Sequence, residues 1–106
     1  MFDIKNLTRL SELGQDAADP WAAFKAFDEA ALKDGAIPKK YKELIALGVA
    51  LTTQCGYCVE VHRRAATAAG ATPEELAEAT FVAAALRAGA AVTHGTHLLA
   101  FKGTQP

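Results

Sequence analysis

Apolar residues recur along this chain at helical spacing, in stretches bounded by Gly, Pro, Asp and Thr. Ile4, Leu7, Leu10 and Leu13 form a narrow stripe at three-residue intervals with charges between them, which predicts a short amphipathic helix from Asp3 to about Gln15. Gly14 and the stretch from Asp16 to Asp19 end it. Asp19 and Pro20 then start a second helix for a physical reason. The Asp side chain can cap free amides, and Pro at the first position gives up an amide that would be unpaired anyway. Trp21, Phe24, Phe27 and Leu32 follow at roughly helical spacing until Gly35, and are expected to pack in the core.

Ile37 and Pro38 start a third helix in the same way. Tyr41, Leu44, Ile45, Leu47, Gly48, Val49 and Leu51 make it apolar nearly all round, as a central helix must be. Glu43 is the last charge before sixteen residues without one, from Leu44 to Val59, so it sits where the helix begins to go under. Judged by residue type alone, it reads as a solvated carboxylate near a helix N-terminus. Thr52, Thr53 and Gln54 break the apolar run and offer capping side chains just before Cys55. A fourth helix runs to about Ala69 and is closed by Gly70.

Thr72, Pro73 and Glu75 spell a capping box with Pro at the first helical position, which opens a fifth helix through Leu76, Phe81, Val82 and Leu86. Arg87-Ala88-Gly89 predicts a kink or break. After it, Val92, Leu98, Leu99 and Phe101 predict a last helix to about Lys102, followed by a frayed tail. The expected fold is all-α, about six helices in a single domain over residues 1–106.

Composition sharpens this picture. Twenty-four of the 106 residues are alanine and 51% are apolar, which favours closely packed helices over a sheet. The formal charge is −1 and the basic residues are scattered singly or in pairs, so there is no electrostatic footprint for nucleic acid. Met1-Phe2-Asp3-Ile4 lacks the basic and apolar regions of a signal peptide, and no apolar run is expected to reach a membrane span of about 18 residues. A cytoplasmic protein without a membrane partner is expected. The third helix is apolar over most of its circumference, and small residues run from Ala83 to Ala91, so part of this surface is expected to be covered by other subunits.

The candidate chemistry lies in E-L-I-A-L-G-V-A-L-T-T-Q-C-G-Y-C-V-E-V-H, residues 43–62, which holds both cysteines. On a helix, Cys58 and His62 stand at i and i+4 on one face, with Cys55 one turn before Cys58. Glu43 can join them only if its helix packs antiparallel against the next. In a reducing compartment a C-x-x-C pair points to catalysis or metal binding, and a helix N-terminus lowers thiol pKa values. Two readings compete with that of two inert helical cysteines. One is dithiol redox chemistry, with one thiolate attacking a peroxide or disulfide and the other resolving the product. The other is a helical zinc-binding or oligomeric scaffold, with Cys55, Cys58, His62 and Glu43 as ligands. Val59 excludes a c-type haem, which needs His directly after the second cysteine. His94 and His97, three apart on the last helix, lack a local carboxylate and are weak metal ligands.

The pattern E-x11-C-x-x-C-x3-H, formed by Glu43, Cys55, Cys58 and His62, resembles the alkylhydroperoxidase AhpD and carboxymuconolactone decarboxylase superfamily, in particular its small AhpD-like members. The resemblance runs from about Pro38 to the last helix and includes A-G-A-T-P-E-E-L-A-E-A. It implies an all-helical subunit in a homo-oligomer, a hexamer or a trimer, whose dithiol reduces hydroperoxides or partner disulfides. It also implies a thiol reductant protein as electron donor and no metal or organic cofactor. Carried over, Cys58 corresponds to the attacking cysteine, Cys55 to the resolving one, and His62 with Glu43 to the proton relay. Tyr57 departs from the pattern, standing where family members with relay chemistry can carry a His. The decarboxylase branch lacks the C-x-x-C, so the resemblance implies thiol chemistry rather than lactone decarboxylation.

Overall fold

The computed structural model describes residues 2–102, which form five α-helices and two 3-10 segments with no strand among them. A 3-10 segment, Ile4–Arg9, leads into α1, Leu10–Asp16, and α2, Ala18–Leu32, follows one residue later. Then come α3, Lys39–Thr53; α4, Gly56–Ala68; α5, Pro73–His94; and a second 3-10 segment, Gly95–Leu98. The all-α fold expected from the sequence is the one observed.

The centre of the molecule is α3, which packs against both α4 and α5. Its turn into α4 is two residues long. Gln54 adopts the left-handed conformation, φ 57° and ψ 40°, and the amide of Cys55 reaches back to the carbonyl of Ala50 at 3.0 Å. This C-terminal cap folds α3 and α4 into a helical hairpin. Gly70, φ +97°, closes α4 in the same manner, as the sequence predicts, and the Ala71 amide bonds the carbonyl of Ala66 at 2.9 Å. The capping box at α5 is present in both halves: Thr72 Oγ1 accepts from the Glu75 amide, and the Glu75 carboxylate accepts from the Thr72 amide.

Several boundaries differ from the sequence reading. The N-terminal stripe forms two pieces, a 3-10 segment and α1, rather than one helix. Asp19 and Pro20 lie inside the first turn of α2, whose cap is Ala17 without a side-chain bond. Thr52 and Thr53 do not cap α4. Their hydroxyls donate back into α3, to the Val49 carbonyl at 3.0 Å, and Cys55 itself is the cap residue. Gly89 does not break α5, because a mid-helix Gly costs only about 1 kcal/mol and the helical ladder continues through it. The helix stops well short of Lys102, with Leu99 extended at ψ 140°. The expected frayed tail falls on residues 103–106, outside the described residues.

Within one chain the buried core among the described residues is small: Leu47, Ala66 and Ala71 form a cluster with Leu44 and Leu76 packed against it, and Ala50 is buried besides. Phe24 and Phe27, expected in the core, are 57% and 71% exposed. Val82 and Leu86 on α5, and Ile45 and Val49 on α3, are also exposed. The radius of gyration is 18.6 Å, against about 13 Å for a compact domain of this length. The unbroken helical span Pro73–Leu98 is also long and apolar enough, by length and composition, to cross a membrane. The expectation that no apolar run reaches a membrane span does not hold for this helical span by length and composition. One side of α5 packs along α3, and the surface it leaves open is of the kind a subunit contact covers.

Candidate active site

The hairpin of α3 and α4 brings together what the sequence separates by nineteen positions. Glu43, in the second turn of α3, is only 1% exposed, so the solvated reading fails: it is the largest fully buried side chain among the described residues. Its Oε2 lies 2.6 Å from Nδ1 of His62 on α4, and its Oε1 accepts from Lys39 Nζ at 3.0 Å. Both carboxylate oxygens are therefore satisfied, which is what permits a charge at this depth. Burial pushes the Glu43 carboxyl up, but the hydrogen bonds from His62 and Lys39 outweigh it and hold the group below its ordinary value. With Nδ1 of His62 committed to Glu43, Nε2 is the ring nitrogen left to exchange a proton.

Lys39 was not singled out from the sequence. The signal was present, since Lys39 and Glu43 stand at i and i+4 on one helix face. Lys39 Nζ also donates to the Leu32 carbonyl at 3.3 Å, so it ties the end of α2 to this site.

Cys55 and Cys58 are joined in a disulfide, with their Cα atoms 5.3 Å apart. Cys55 is the N-cap of α4, and its sulfur accepts from the Cys58 amide at 3.2 Å. A sulfur in this position faces unpaired amides and the positive end of the helix dipole. Cys58 lies in the first turn of α4 and His62 one turn further on the same face. Tyr57, between the cysteines, is held elsewhere. Its hydroxyl accepts from the Asn6 side-chain amide at 2.9 Å and the Asp3 backbone amide at 3.3 Å, so the phenol is tied to the N-terminal segment.

The four residues of the zinc reading are not assembled as ligands, and no cluster of three or more His, Cys, Asp or Glu among the described residues has metal-binding geometry. His94 and His97 lie with ring centroids 5.6 Å apart and planes tilted by 43°, exposed at the far end of α5, which packs on α3 and not on α4.

Residues 20–100 match the profile of the carboxymuconolactone decarboxylase family. The chain belongs to this family. The superfamily resemblance read from the cysteine motif is thereby borne out. A Paracoccus denitrificans protein described as uncharacterized protein 4 in the cox locus is 44% identical over 91 residues, covering 86% of this chain and 82% of that one. An uncharacterized protein of Cupriavidus necator is 34% identical over 101 residues, covering 89% of each. Among solved structures, an apo carboxymuconolactone decarboxylase family protein from Legionella pneumophila superposes with a TM-score of 0.73 at 34% identity, covering 77% of this chain and 73% of its own. A protein from Methanobacterium thermoautotrophicum gives 0.76 at 32%, covering 81% and 97%. Family membership and the C-x-x-C disulfide are compatible with thiol redox chemistry.

Proposed function

We propose that this protein is a thiol-dependent oxidoreductase that reduces a hydroperoxide or a partner disulfide through Cys55 and Cys58, with His62 and Glu43 as its proton relay. The observation that carries the reading is the buried Glu43–His62 pair, one helical turn from Cys58 in a motif whose two sulfurs already lie within bonding reach. A buried carboxylate oriented on an imidazole fixes its tautomer and stabilises its charged form, the arrangement that activates a neighbouring nucleophile.

In the reduced protein Cys58 gives its proton to Nε2 of His62 and its thiolate attacks the distal oxygen of the hydroperoxide. The O–O bond breaks, the alcohol leaves with the relayed proton, and Cys58 becomes a sulfenic acid. The Cys55 thiol then attacks the Cys58 sulfur, forming the disulfide and releasing water. A dithiol reductant restores both thiols, so each cycle consumes one hydroperoxide and two electrons.

The apolar surface left open on α3 and α5, together with the extended shape of the single chain, supports a homo-oligomer. A hexamer is favoured over a trimer because two separate faces need covering. The reading places the protein in the cytoplasm, where reductants can recycle the disulfide.

The test is consumption of an organic hydroperoxide with a dithiol reductant in excess. Turnover that is lost in Cys58→Ser supports the proposal. A reduced protein whose thiols neither consume hydroperoxide nor exchange with a small disulfide would refute it.

A further inference from the structure

The N-terminal segment is fastened to the C-x-x-C turn at several points. The Phe2 ring lies 4.7 Å from the Tyr57 ring, and it covers Gly56 so closely that an added Cβ there would come within 2.7 Å of it. Asp3 and Asn6 both donate to the Tyr57 hydroxyl. From this anchor the 3-10 segment and α1 bring Leu7, Leu10 and Leu13 to one side of a groove of about 700 Å³ that is lined on the other side by Cys55 and Cys58. Leu10 is 38% exposed and Leu13 62%, so the apolar stripe is not used up by packing within the chain. Arg9 and Glu12, also on the groove, neutralise each other at 2.7 Å.

We infer that the segment Phe2–Asp16 is the substrate-selecting wall of the dithiol site, held in place through Tyr57, with Leu7, Leu10 and Leu13 binding the apolar body of an electrophilic substrate. This rests on the redox reading above and deepens it. The groove falls within the roughly 300–1,000 Å³ of small-molecule sites, and its occupant must meet both the sulfurs and the leucines. A substrate whose reactive bond carries an apolar group does so. A small polar oxidant gains nothing from such a wall. The matched family region begins at residue 20, after this segment, so the wall lies outside the part of the chain that carries the relay. It also gives Tyr57 a role: its hydroxyl positions the wall, and it takes no part in the relay.

Alkylation of the reduced protein separates this inference from the catalytic reading, since it needs only accessible thiols and no turnover. Initial rates are compared for iodoacetamide, small and polar, and N-phenylmaleimide, which carries an apolar ring, with intact mass as the readout. Two variants act on exposed side chains and leave both cysteines in place: Leu10→Gln with Leu13→Gln removes the stripe, and Phe2→Ala with Asn6→Ala releases the anchor. The maleimide-to-iodoacetamide rate ratio should fall about fivefold in each, the factor expected when roughly 40 Å² of apolar contact is lost. A fall in the ratio in a protein that neither consumes hydroperoxide nor exchanges with a small disulfide would leave the wall standing and remove the redox reading. An unchanged ratio in variants that keep their helical circular dichroism would overturn the wall. So would an unchanged ratio accompanied by a lower oligomeric mass, which would assign the segment to a subunit contact instead.

Discussion

Oε2 of Glu43 on α3 lies 2.6 Å from Nδ1 of His62 on α4, so a carboxylate at the bottom of one helix sets the orientation of an imidazole on the next. Glu43→Gln keeps the shape of the pair and removes the charge. The rate of disulfide formation on mixing reduced protein with one equivalent of hydroperoxide should drop by roughly 10². Wild-type kinetics in that variant would reduce Glu43 to a structural role.

The same pair predicts a pH dependence of stability. The His62 and Lys39 hydrogen bonds overcome the upward push of burial and hold the folded-state pKa of Glu43 below the ordinary 4.5. A carboxyl lowered on folding stabilises the protein above its unfolded value, and that contribution disappears as pH falls through the folded one. Between pH 5 and pH 3 the difference in thermal midpoint between wild type and Glu43→Gln should be largest at pH 5. It should then shrink below pH 4.5, the ordinary value. Lys39→Met, which removes one of the two donors, should move the loss to higher pH. A gap that stays constant down to pH 3 would contradict the assignment.

Two physical effects favour different nucleophiles, and labelling decides between them. The sulfur of Cys55 receives an amide at the helix N-terminus, whereas Cys58 shares a helix face with the imidazole. A base within reach is the stronger activator, so limiting iodoacetamide near neutral pH should label Cys58 first. Cys55→Ser should still permit one attack, followed by over-oxidation of Cys58 visible by mass spectrometry. Preferential labelling of Cys55 would reverse the roles.

Gln54 holds a left-handed conformation that suits glycine, immediately before the C-x-x-C turn. Relief of about 1–2 kcal/mol of backbone strain outweighs the roughly 0.4–1 kcal/mol that glycine's added freedom gives the unfolded chain. Gln54→Gly should therefore raise the thermal midpoint by a few degrees, about 4–8 °C per kcal/mol in a domain of this size. A lower midpoint would mean that the Gln54 side chain contributes more than its backbone costs.

The open groove between α3 and α5, lined in part by Ile45, Val49, Val82 and Leu86, is where a second copy of the chain is expected to pack. Light scattering during size-exclusion chromatography should give a mass of several chains at micromolar concentration. Val82→Arg, which places a charge in the contact, should lower that mass. A single-chain mass for the wild-type protein would sink the assembly proposal.

Much of the fold was legible because its determinants are local. The box of Thr72, Pro73 and Glu75, the closing Gly70 and the apolar stripe of α3 each act within a turn or two of the chain. The errors have local causes too: Gly89 looks like a break in sequence, but a helix already laid along α3 absorbs its small cost. Family membership was legible from four residues at matched spacing, and the i, i+4 relation of Cys58 and His62 follows from helix geometry alone. What the sequence could not determine is whether Glu43 faces water. That depends on the hairpin angle at Gln54, which folds α4 over α3 and turns a solvated carboxylate into a buried one bonded to His62. Nor could it place Phe2 and Asn6 on Tyr57, more than fifty residues away, because such contacts are set by how whole helices pack and leave no periodic trace. The exposure of Phe24, Phe27 and Leu86 has the same origin: apolar spacing says that a face must be covered, and only the tertiary structure says that this chain alone does not cover it.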